Sequence, residues 1–409
     1  MKPLRTKFEI IFKKTTLTVF IMVGLINFSY AQEEPIDNIK IPKVEYRGGI
    51  YYLELDAETP YKRGYQHGKA LNFIINKKIR DFKEWLRENA GITEPDKMIQ
   101  EFAKNTGHIN TVKELVPDLY QEMEGIAKGA NVDFNELFLY QSFDELFLFL
   151  MKSGSIKFGD GHCTTTGVYG RKNLPNYVTH NNDIPTYHEG AVTVLKIRYP
   201  NSDLVILQQT FAGQIGQNGV NNYGVAVGIN TIADLPTSDQ GIPVSFNVRK
   251  ILESKNRTKA VDYLNTVHFG TAMNYMIADR EKVISVETWK DTVVVVDNYK
   301  NNYAVHTNHT LQENAPVAFK MDANMGGGSY GYTFERLELA EKTLKSERNT
   351  INFESIKKLK TTRPILVNPG SATGRTLQCM IVEIPKKGNP ILFTTPDSPN
   401  WFTHVKFEF

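Results

Sequence analysis

The residue best suited to covalent chemistry is a cysteine at the start of a strand-like run. Cys163 is one of only two cysteines in 409 residues, and it follows a loop of small residues and His162. A thiolate is a strong nucleophile, and cysteine forms covalent intermediates in many enzymes. Cys163 is therefore the candidate nucleophile.

Cleavage of the peptide bond between His162 and Cys163 would give this cysteine its own base. The thiol would attack the preceding carbonyl carbon, a thioester would form, and water would hydrolyse it. Cys163 would then begin a new chain with a thiol and a free α-amine. An α-amine has a pKa of about 7.7 to 8, which suits a general base near neutral pH. No catalytic histidine is then required.

Two later polar runs supply the other groups that this chemistry needs. Asp183 ends the run His180-Asn181-Asn182-Asp183 after the next candidate strand, and it would hold the ammonium or thiol of Cys163. Asn308 lies in His306-Thr307-Asn308-His309 at the end of another strand, and its amide would donate to an oxyanion. Taken alone, such an aspartate is more often a turn residue.

Both cysteines also have ordinary structural interpretations. Cys163 would be a small buried apolar residue, or half of a disulfide with Cys379. The strand-like run from Leu377 to Ile384 makes core packing the favoured interpretation of Cys379.

We expect neither a metal nor a cofactor. His306 and His309 are three residues apart in a strand end, where they face opposite sides, and no third ligand has zinc-site spacing. Gly213, Gly216 and Gly219 do not match a dinucleotide or phosphate-binding loop, so we interpret them as bends in strands.

Residues 1–31 have the pattern of a secretory signal peptide. Five basic residues precede a short apolar run, and Ser29-Tyr30-Ala31 offers a small-residue cleavage site. An uncleaved anchor is the alternative, although the apolar run is short for a membrane span. The full chain has a formal net charge of +3 and this segment carries +4, which leaves about −1. We expect an exported protein, periplasmic or secreted, without a stable membrane span and without nucleic acid as a partner.

The remainder of the chain divides into a helical part and a part that is rich in strands. Apolar residues follow helical spacing between residues 59 and 151, with the last helix predicted over Asp133 to Leu150. From Cys163 onward, short β-branched runs alternate with Gly and Asn turns, as is typical of strands. The predicted strands and helices there are 177–179, 191–198, 204–211, 225–229, helix 244–267, 273–279, 283–288, 292–296, 303–307, helix 329–344, 376–384 and 391–394. The chain can bury a substantial core.

Five motifs, taken in order, resemble the acyl-coenzyme A:6-aminopenicillanic acid acyltransferase family of N-terminal-nucleophile (Ntn) hydrolases, which are peptidase family C45-like. They are the opening segment Thr59 to Gly68, the helix end Gly125 to Ala130, the processing site Cys163 to Thr165, the glycine-rich strand pair Phe211 to Gly228, and the oxyanion segment Val305 to His309. The resemblance extends over nearly the whole chain after residue 31. Each motif alone is weak, but their order and spacing are specific.

The resemblance implies an α+β fold, a four-layer αββα sandwich preceded by a helical segment. It implies self-cleavage into a helical α chain, 32–162, and a β chain, 163–409, that remain associated. A homo-oligomer is compatible with it. Carried over residue by residue, it makes Cys163 the nucleophile, Asp183 the orienting carboxylate and Asn308 the oxyanion donor. Arg375, in Gly374-Arg375-Thr376, falls near a family arginine.

Three positions depart from the family pattern. His162 stands where the family often has glycine, so its side chain would hinder or assist cleavage. Asn182 replaces an aromatic residue of the pocket wall. His180 stands where bile-salt hydrolases and ceramidases have arginine, which argues against their substrates.

The sequence thus predicts a cysteine amidohydrolase that cleaves the amide bond of an N-acylated small molecule or amino acid through an acyl thioester on Cys163. One alternative is an acyltransferase that moves the acyl group to an amine. Another is an uncleaved, catalytically silent binding protein of the same fold, which the histidine at position 162 keeps open.

Overall fold

A computed structural model describes residues 36, 38–152, 162–171, 173–296, 302–318, 331–347, 350–370 and 374–409. The predicted signal peptide lies outside the described residues, and so do the three consecutive glycines Gly326 to Gly328, for which the sequence predicts a loop before the predicted helix 329–344. The helices of the described parts are α1 Pro60–Ala70, α2 Asn72–Asn89, α3 Pro95–Asn105, α4 His108–Leu115, α5 Pro117–Ala130, α6 Phe134–Gln141, α7 Phe143–Lys152, α8 Val244–Leu252, α9 Arg257–Leu264, α10 Gly331–Glu347 and α11 Phe353–Lys360.

The strands fall into two sheets. They are β1 Glu45–Arg47, β2 Ile50–Leu55, β3 His162–Val168, β4 Asn176–Ile184, β5 Val192–Arg198, β6 Val205–Phe211, β7 Asn218–Asn221, β8 Ala226–Thr231, β9 Met273–Ala278, β10 Val283–Trp289, β11 Thr292–Val296, β12 Tyr303–His306, β13 Arg375–Ile384, β14 Ile391–Thr394 and β15 Val405–Glu408. Sheet A has the order β1-β2-β5-β6-β7-β8-β9-β10-β11, and sheet B has the order β12-β3-β4-β13-β14-β15. All pairs are antiparallel except β2 with β5.

The two sheets pack face to face between layers of helices. Strands β3 and β4 of sheet B lie against β8 and β9 of sheet A, α10 and α11 cover the other face of sheet B, and α8 packs on sheet A. Strands covered on both faces become buried along their whole length, and every residue of β4 is buried. This confirms the predicted four-layer αββα sandwich.

A separate core cluster fills the space between sheet B and its helices. Cys379 lies in this cluster with Ile356, Leu344 and Tyr303, so it packs as a buried apolar residue.

Two helices predicted as continuous are interrupted, so these predictions were wrong. The run from Asp133 to Leu150 breaks at Ser142, between α6 and α7. The run from 244 to 267 breaks between α8 and α9, where the Asn256 side chain accepts a hydrogen bond from Lys259 N and starts a new helix. Because both halves of each pair bury apolar residues, helical periodicity continues through the break and conceals it.

Helices α1 and α5 cross with their backbones in close contact, and glycines make this possible. A Cβ added to Gly64 would lie 1.8 Å from the carbonyl oxygen of Glu122, and one added to Gly125 would lie 2.0 Å from that of Tyr61. Gly68 and Gly129, four residues further on, make similar contacts. Two motifs that lie about 60 residues apart in the sequence are therefore the two sides of one helix crossing. No helix in the described ranges has the length and apolarity that a membrane span requires.

Candidate active site

The register of β3 against β4 places Cys163 beside the polar run predicted to serve it. Cys163 lies opposite Asn182, and His162 lies opposite Asp183. The Cys163 Sγ is 3.7 Å from Asn182 Oδ1. Side chains alternate along a strand; Thr165, two residues after Cys163, bonds to Asn230 of sheet A. The thiol therefore faces the space between the sheets.

Asn308 reaches Cys163 because β12 pairs with β3, with His306 opposite Thr165. The backbone N–H of Cys163 donates to Asn308 Oδ1 at 3.1 Å, and Asn308 Nδ2 donates to the carbonyl oxygen of Thr231 at 2.9 Å. One neighbour is a donor and the other an acceptor, so their chemistry fixes the orientation of the amide.

Arg336 of α10 is the site residue that the sequence analysis missed. Its Nη1 donates to the carbonyl oxygen of Cys163 at 2.5 Å and to Thr164 Oγ1 at 2.8 Å. Its Nη2 donates to Asn308 Oδ1 at 2.8 Å. The guanidinium therefore contacts Cys163 directly on its C-terminal side and, through Asn308, on its N-terminal side. The signal available in the sequence was an arginine at an inward-facing position of an amphipathic helix, aligned with Thr333 and Ala340, since arginine is rarely buried without partners.

A second buried cation, Lys360 of α11, contacts Thr164, the residue that follows Cys163 on β3. Its Nζ donates to the carbonyl oxygen of Thr164 at 2.8 Å. Burial lowers the pKa of this ammonium to about 8. The first two carbonyl oxygens of the strand after His162 thus both accept hydrogen bonds from cationic side chains.

Asp183 is almost completely buried, and it lines the pocket that the Cys163 thiol faces. Thr376 Oγ1 donates to its Oδ1 at 2.5 Å, whereas its Oδ2 has no hydrogen-bond partner among the described residues. Burial raises the pKa of this carboxyl to about 7, although the nearby Arg336 acts in the opposite direction. A buried acceptor without a donor is costly, and such a group is suited to receive a hydrogen bond from an ammonium.

The thiol of Cys163 faces a pocket built from both halves of the chain. Its lining combines aromatic, aliphatic and polar side chains: Phe143, Asp144, Phe147, Cys163, Asn182, Asp183, Ile184, His188, Gln217, Ile229, Thr231 and Asn308. Burial, followed by the charges of Asp183 and Asp144, raises the pKa of the Cys163 thiol well above its usual value. Burial also lowers the pKa of His188 well below its usual value, so this imidazole is neutral near pH 7. His188 is therefore a weak base for the thiol in the uncut chain.

Arg375, the fourth residue predicted for the site, does not line this pocket. Its guanidinium donates to Glu189 Oε1 at 2.8 Å and to Asp397 Oδ1 at 2.6 Å, and it lies over the Trp401 ring. Its register partner on β4 is Ile184, which does line the pocket. Arg375 thus belongs to an ion-pair cluster beside the site.

The two cysteines are free thiols. Cys163 is on β3 and Cys379 on β13, and β4 lies between these strands. Next-nearest strands are roughly 9.5 Å apart, whereas a disulfide needs Cα atoms within about 7 Å. This arrangement is incompatible with a Cys163–Cys379 disulfide. Within the described ranges, no three His, Cys, Asp or Glu side chains converge in a way that could hold a metal ion.

Two facing sheets between helical layers, with a cysteine at the start of an inner strand, are the arrangement of the Ntn-hydrolase class of acylases and acyltransferases. The chain belongs to the acyl-coenzyme A:6-aminopenicillanic acid acyltransferase family, which matches residues 170–393, more than half of its length. Asp183, Asn308, Arg336 and Arg375 lie inside the matched range, and Cys163 lies seven residues before it.

One curated relative is the 40 kDa form of the acyl-coenzyme A:6-aminopenicillanic-acid acyltransferase of Emericella nidulans. It is 28% identical over 268 residues, which are 64% of this chain and 71% of the relative. Among solved structures, an N-acylethanolamine-hydrolyzing acid amidase ortholog of Caenorhabditis elegans aligns with a TM-score of 0.40 and 16% identity, over 60% of this chain and 100% of that one. The penicillin V acylase of Agrobacterium tumefaciens aligns with a TM-score of 0.38 and 13% identity, over 60% of this chain and 86% of that one.

Proposed function

We propose that this protein is a self-processing cysteine hydrolase that cleaves the amide bond of an N-acylated small molecule or amino acid. The observation that carries the proposal is the environment of Cys163 at the start of β3. Asn308 holds its backbone N–H, Arg336 holds its carbonyl oxygen, and its thiol faces a pocket. Such fixation of both backbone ends favours a residue whose position matters for chemistry.

Self-processing would begin with attack of Cys163 Sγ on the carbonyl carbon of His162. The C–N bond breaks as the C–S bond forms, the thiol proton passes to the departing nitrogen, and a thioester results. Water then hydrolyses the thioester, which leaves a carboxylate on His162 and a thiol and an amine on Cys163. The carbonyl contacts of Arg336 and Lys360 would keep the strand in place while this bond breaks.

In the processed enzyme, the α-amine of Cys163 would take the thiol proton and later return it to the leaving amine. Asp183 is suited to hold the new ammonium because its register partner is His162 and its Oδ2 has no partner among the described residues. The Asn308 amide, with a backbone N–H, would stabilise the tetrahedral intermediate. Neutralisation by the ammonium would also offset the cost of burying the Asp183 carboxylate.

The segments on either side of the cut would remain associated. Glu122 of α5 forms a fully buried ion pair with Arg249 at 2.9 Å. Gln141 donates to the carbonyl oxygen of Gly213 at 2.9 Å and accepts from Ile215 N, so the helical segment holds the glycine-rich strand pair. Loss of these partners would leave buried polar groups unpaired.

Acyl transfer to an amine is the second candidate, favoured by the acyltransferase name of the Emericella nidulans relative. The chemistry differs only in whether water or an amine reaches the thioester. We favour hydrolysis because the predicted signal peptide would export the chain, and coenzyme A thioesters are cytosolic. An uncut binding protein of the same fold is the third candidate, and the histidine before Cys163 is the feature behind it.

Intact mass and N-terminal sequencing of exported wild-type protein and Cys163→Ala test the first step. Two wild-type chains, one of which begins at Cys163, and a single mutant chain would support processing. A single wild-type chain would exclude it and favour the binding protein. A panel of N-acyl amides and acyl-coenzyme A thioesters, with and without an added amine, then tests the reaction. Turnover of thioesters only, with transfer to the amine, would replace hydrolysis by transfer.

A further inference from the structure

We infer that the pocket beside Cys163 selects substrates by charge: it excludes carboxylates and favours an ammonium group near Asp144. The inference narrows the proposed function, on which it rests, since it disfavours N-acyl amino acids with a free carboxylate. Its basis is the distribution of charged side chains around the pocket and the position of one helix.

The described part of the pocket lining is acidic. Asp144 and Asp183 are the two carboxylates among the described lining residues, and these residues include neither lysine nor arginine. The one lining histidine, His188, is neutral near pH 7 because burial lowers its pKa. A carboxylate brought into this space would meet two carboxyl groups and no cationic side chain of the described lining, which is unfavourable in a partly desolvated site.

The two nearby cations are directed elsewhere. Arg336 donates to the carbonyl oxygen of Cys163 and to Thr164 Oγ1, and Lys360 donates to the carbonyl oxygen of Thr164. The Thr164 side chain alternates with that of Cys163 and faces the helices, away from the pocket. Arg336 Nη2 also donates to Asn308 Oδ1, which belongs to the lining. The contacts of the two cations are therefore to the strand and to Asn308, and neither side chain is among the described lining residues.

Asp144 is the carboxylate placed to meet a ligand. Asp183 is almost fully buried and would be neutralised by the ammonium of processed Cys163, whereas Asp144 is only half-buried. Thr231 Oγ1 donates to Asp144 Oδ1 at 2.5 Å, which fixes the carboxylate at the pocket wall. Burial raises the pKa of Asp144, whereas the hydrogen bond from Thr231 lowers it. Once ionised, Asp144 would be the carboxylate of the described lining that lacks a cationic partner in the processed enzyme.

The helix around Asp144 adds aromatic surface suited to a cation. Phe143 and Phe147, four residues apart on α7, lie on the same helix face and both line the pocket with Asp144. Aromatic faces attract ammonium groups, and a neighbouring carboxylate strengthens that attraction. The combination of one carboxylate and two phenyl rings matches an ammonium on an otherwise apolar molecule.

The ammonium has two possible sources, the amine part or the acyl part of the substrate. Two ligand series separate them. In the first, one acyl chain is joined to glycine, ethanolamine or ethylenediamine, which gives anionic, neutral and cationic leaving groups of similar size. In the second, the amine is always ethanolamine and the far end of the acyl chain carries a carboxyl, methyl or amino group.

Affinity for these ligands is measured by calorimetry on Cys163→Ala at pH 8. This variant stays uncut and cannot turn over, so it retains the described pocket. Asp183, whose pKa is raised to about 7, is also ionised at pH 8 in this variant, so a change at Asp144 is needed to separate the two carboxylates. We expect the cationic member of at least one series to bind roughly tenfold more tightly than the anionic member. The series that shows the difference identifies the source of the ammonium.

The double variant Cys163→Ala/Asp144→Asn tests the assigned residue. Asparagine keeps an acceptor for Thr231 but removes the charge, so the cation-to-anion ratio should fall at least about fivefold. Cys163→Ala/Glu145→Gln is the matched control, because Glu145 is the adjacent carboxylate but bonds to Thr271 and Val244 outside this pocket. The control should preserve the ratio.

Equal or tighter binding of the anionic ligands, an unchanged ratio in the Asp144 variant, or no binding of any ligand would overturn the inference. Its failure is distinct from failure of the proposed function. Trapping of an acyl group on Cys163 of the wild type, detected by mass spectrometry after a brief reaction with the same ligands, tests the function separately.

Discussion

Arg336 Nη1 lies 2.5 Å from the carbonyl oxygen of Cys163, although 173 residues separate the two in the chain. The same guanidinium contacts Asn308 Oδ1, which accepts the backbone N–H of Cys163. One planar cation therefore links the candidate nucleophile to the candidate oxyanion donor. Arginine suits this task because its donors form a rigid fork and it stays charged when buried.

Loss of this fork should impair both processing and turnover. We expect Arg336→Met to slow both by about 10² or more, the scale observed when one oxyanion donor is removed. Arg336→Lys should recover part of the loss, because an ammonium restores the charge but cannot span the carbonyl oxygen of Cys163 and Asn308 Oδ1 as the planar guanidinium does. Rates of chain cleavage and kcat/KM provide the readout, and circular dichroism verifies the fold. Arg257→Lys, in a distant ion pair with Asp279, is the control. Equal losses in Arg336→Met, Arg336→Lys and the control variant would contradict the role of Arg336.

Arg375 should matter less than Arg336. Its donors are engaged by Glu189 and Asp397 outside the pocket, and ion pairs near a surface contribute roughly 1 kcal/mol or less. We expect Arg375→Gln to retain processing and to lower kcat/KM by less than about tenfold. A loss as large as that of Arg336→Met would return Arg375 to the catalytic group that the family resemblance implies.

The buried Asp183 carboxyl should make the uncut precursor less stable as the pH rises. Its pKa is raised to about 7 by burial, from an ordinary value of 3.8. Between these values the folded state binds more protons than the unfolded state, so this contribution is complete below pH 4 and is lost as the pH rises through 7.

Urea unfolding of Cys163→Ala and Cys163→Ala/Asp183→Asn at pH 5 and pH 8 measures this effect. The asparagine variant should gain roughly 2 kcal/mol relative to its parent between the two pH values. Buried groups that do not interact with Asp183 cancel in the difference between the two proteins. Asp262→Asn in the same background, at an exposed ion pair with Lys259, is the control and should show no such change. If the difference in unfolding free energy between the Asp183 variant and its parent did not depend on pH, the raised pKa of Asp183 would be refuted.

The glycine crossing of α1 and α5 should not tolerate a methyl group. Gly125→Ala would place a Cβ 2.0 Å from the carbonyl oxygen of Tyr61, so the helices must separate. We expect a loss of about 2 to 3 kcal/mol in the free energy of unfolding, measured with urea. Lys128→Ala, on the exposed face of α5, should cost less than about 0.5 kcal/mol. Equal stability of Gly125→Ala and wild type would mean that the helices are further apart.

Thiol counting on unfolded protein checks the separation of the two cysteines. Because β4 lies between them, we expect two reactive thiols per chain without reductant, in protein purified under oxidising conditions. Cys379→Ala should show one. No reactive thiols before reduction and two afterwards would indicate a disulfide and a different arrangement of sheet B.

The sequence by itself determined what depends on local pattern. Period-2 and period-3.6 runs predicted most strands and helices. The αββα sandwich was implied by the family resemblance that the order of the motifs carries. Local pattern failed at Ser142 and Asn256, because apolar periodicity does not show where a helix is capped and restarted. The short edge strands β1 and β15 and helix α11 also escaped prediction, since short segments are stabilised by packing more than by their own propensity.

Tertiary structure alone decided which distant residues meet. Arg336 and Lys360 reach Cys163 and Thr164 only because α10 and α11 pack on sheet B, and no spacing in the chain encodes that distance. The register of β13 beside β4 placed Arg375 next to the pocket but not in its lining. Strand pairing and helix packing bring together segments that lie far apart in the sequence. The candidate nucleophile, carboxylate and amide could therefore be named from the sequence, but the residues that contact them followed from the fold.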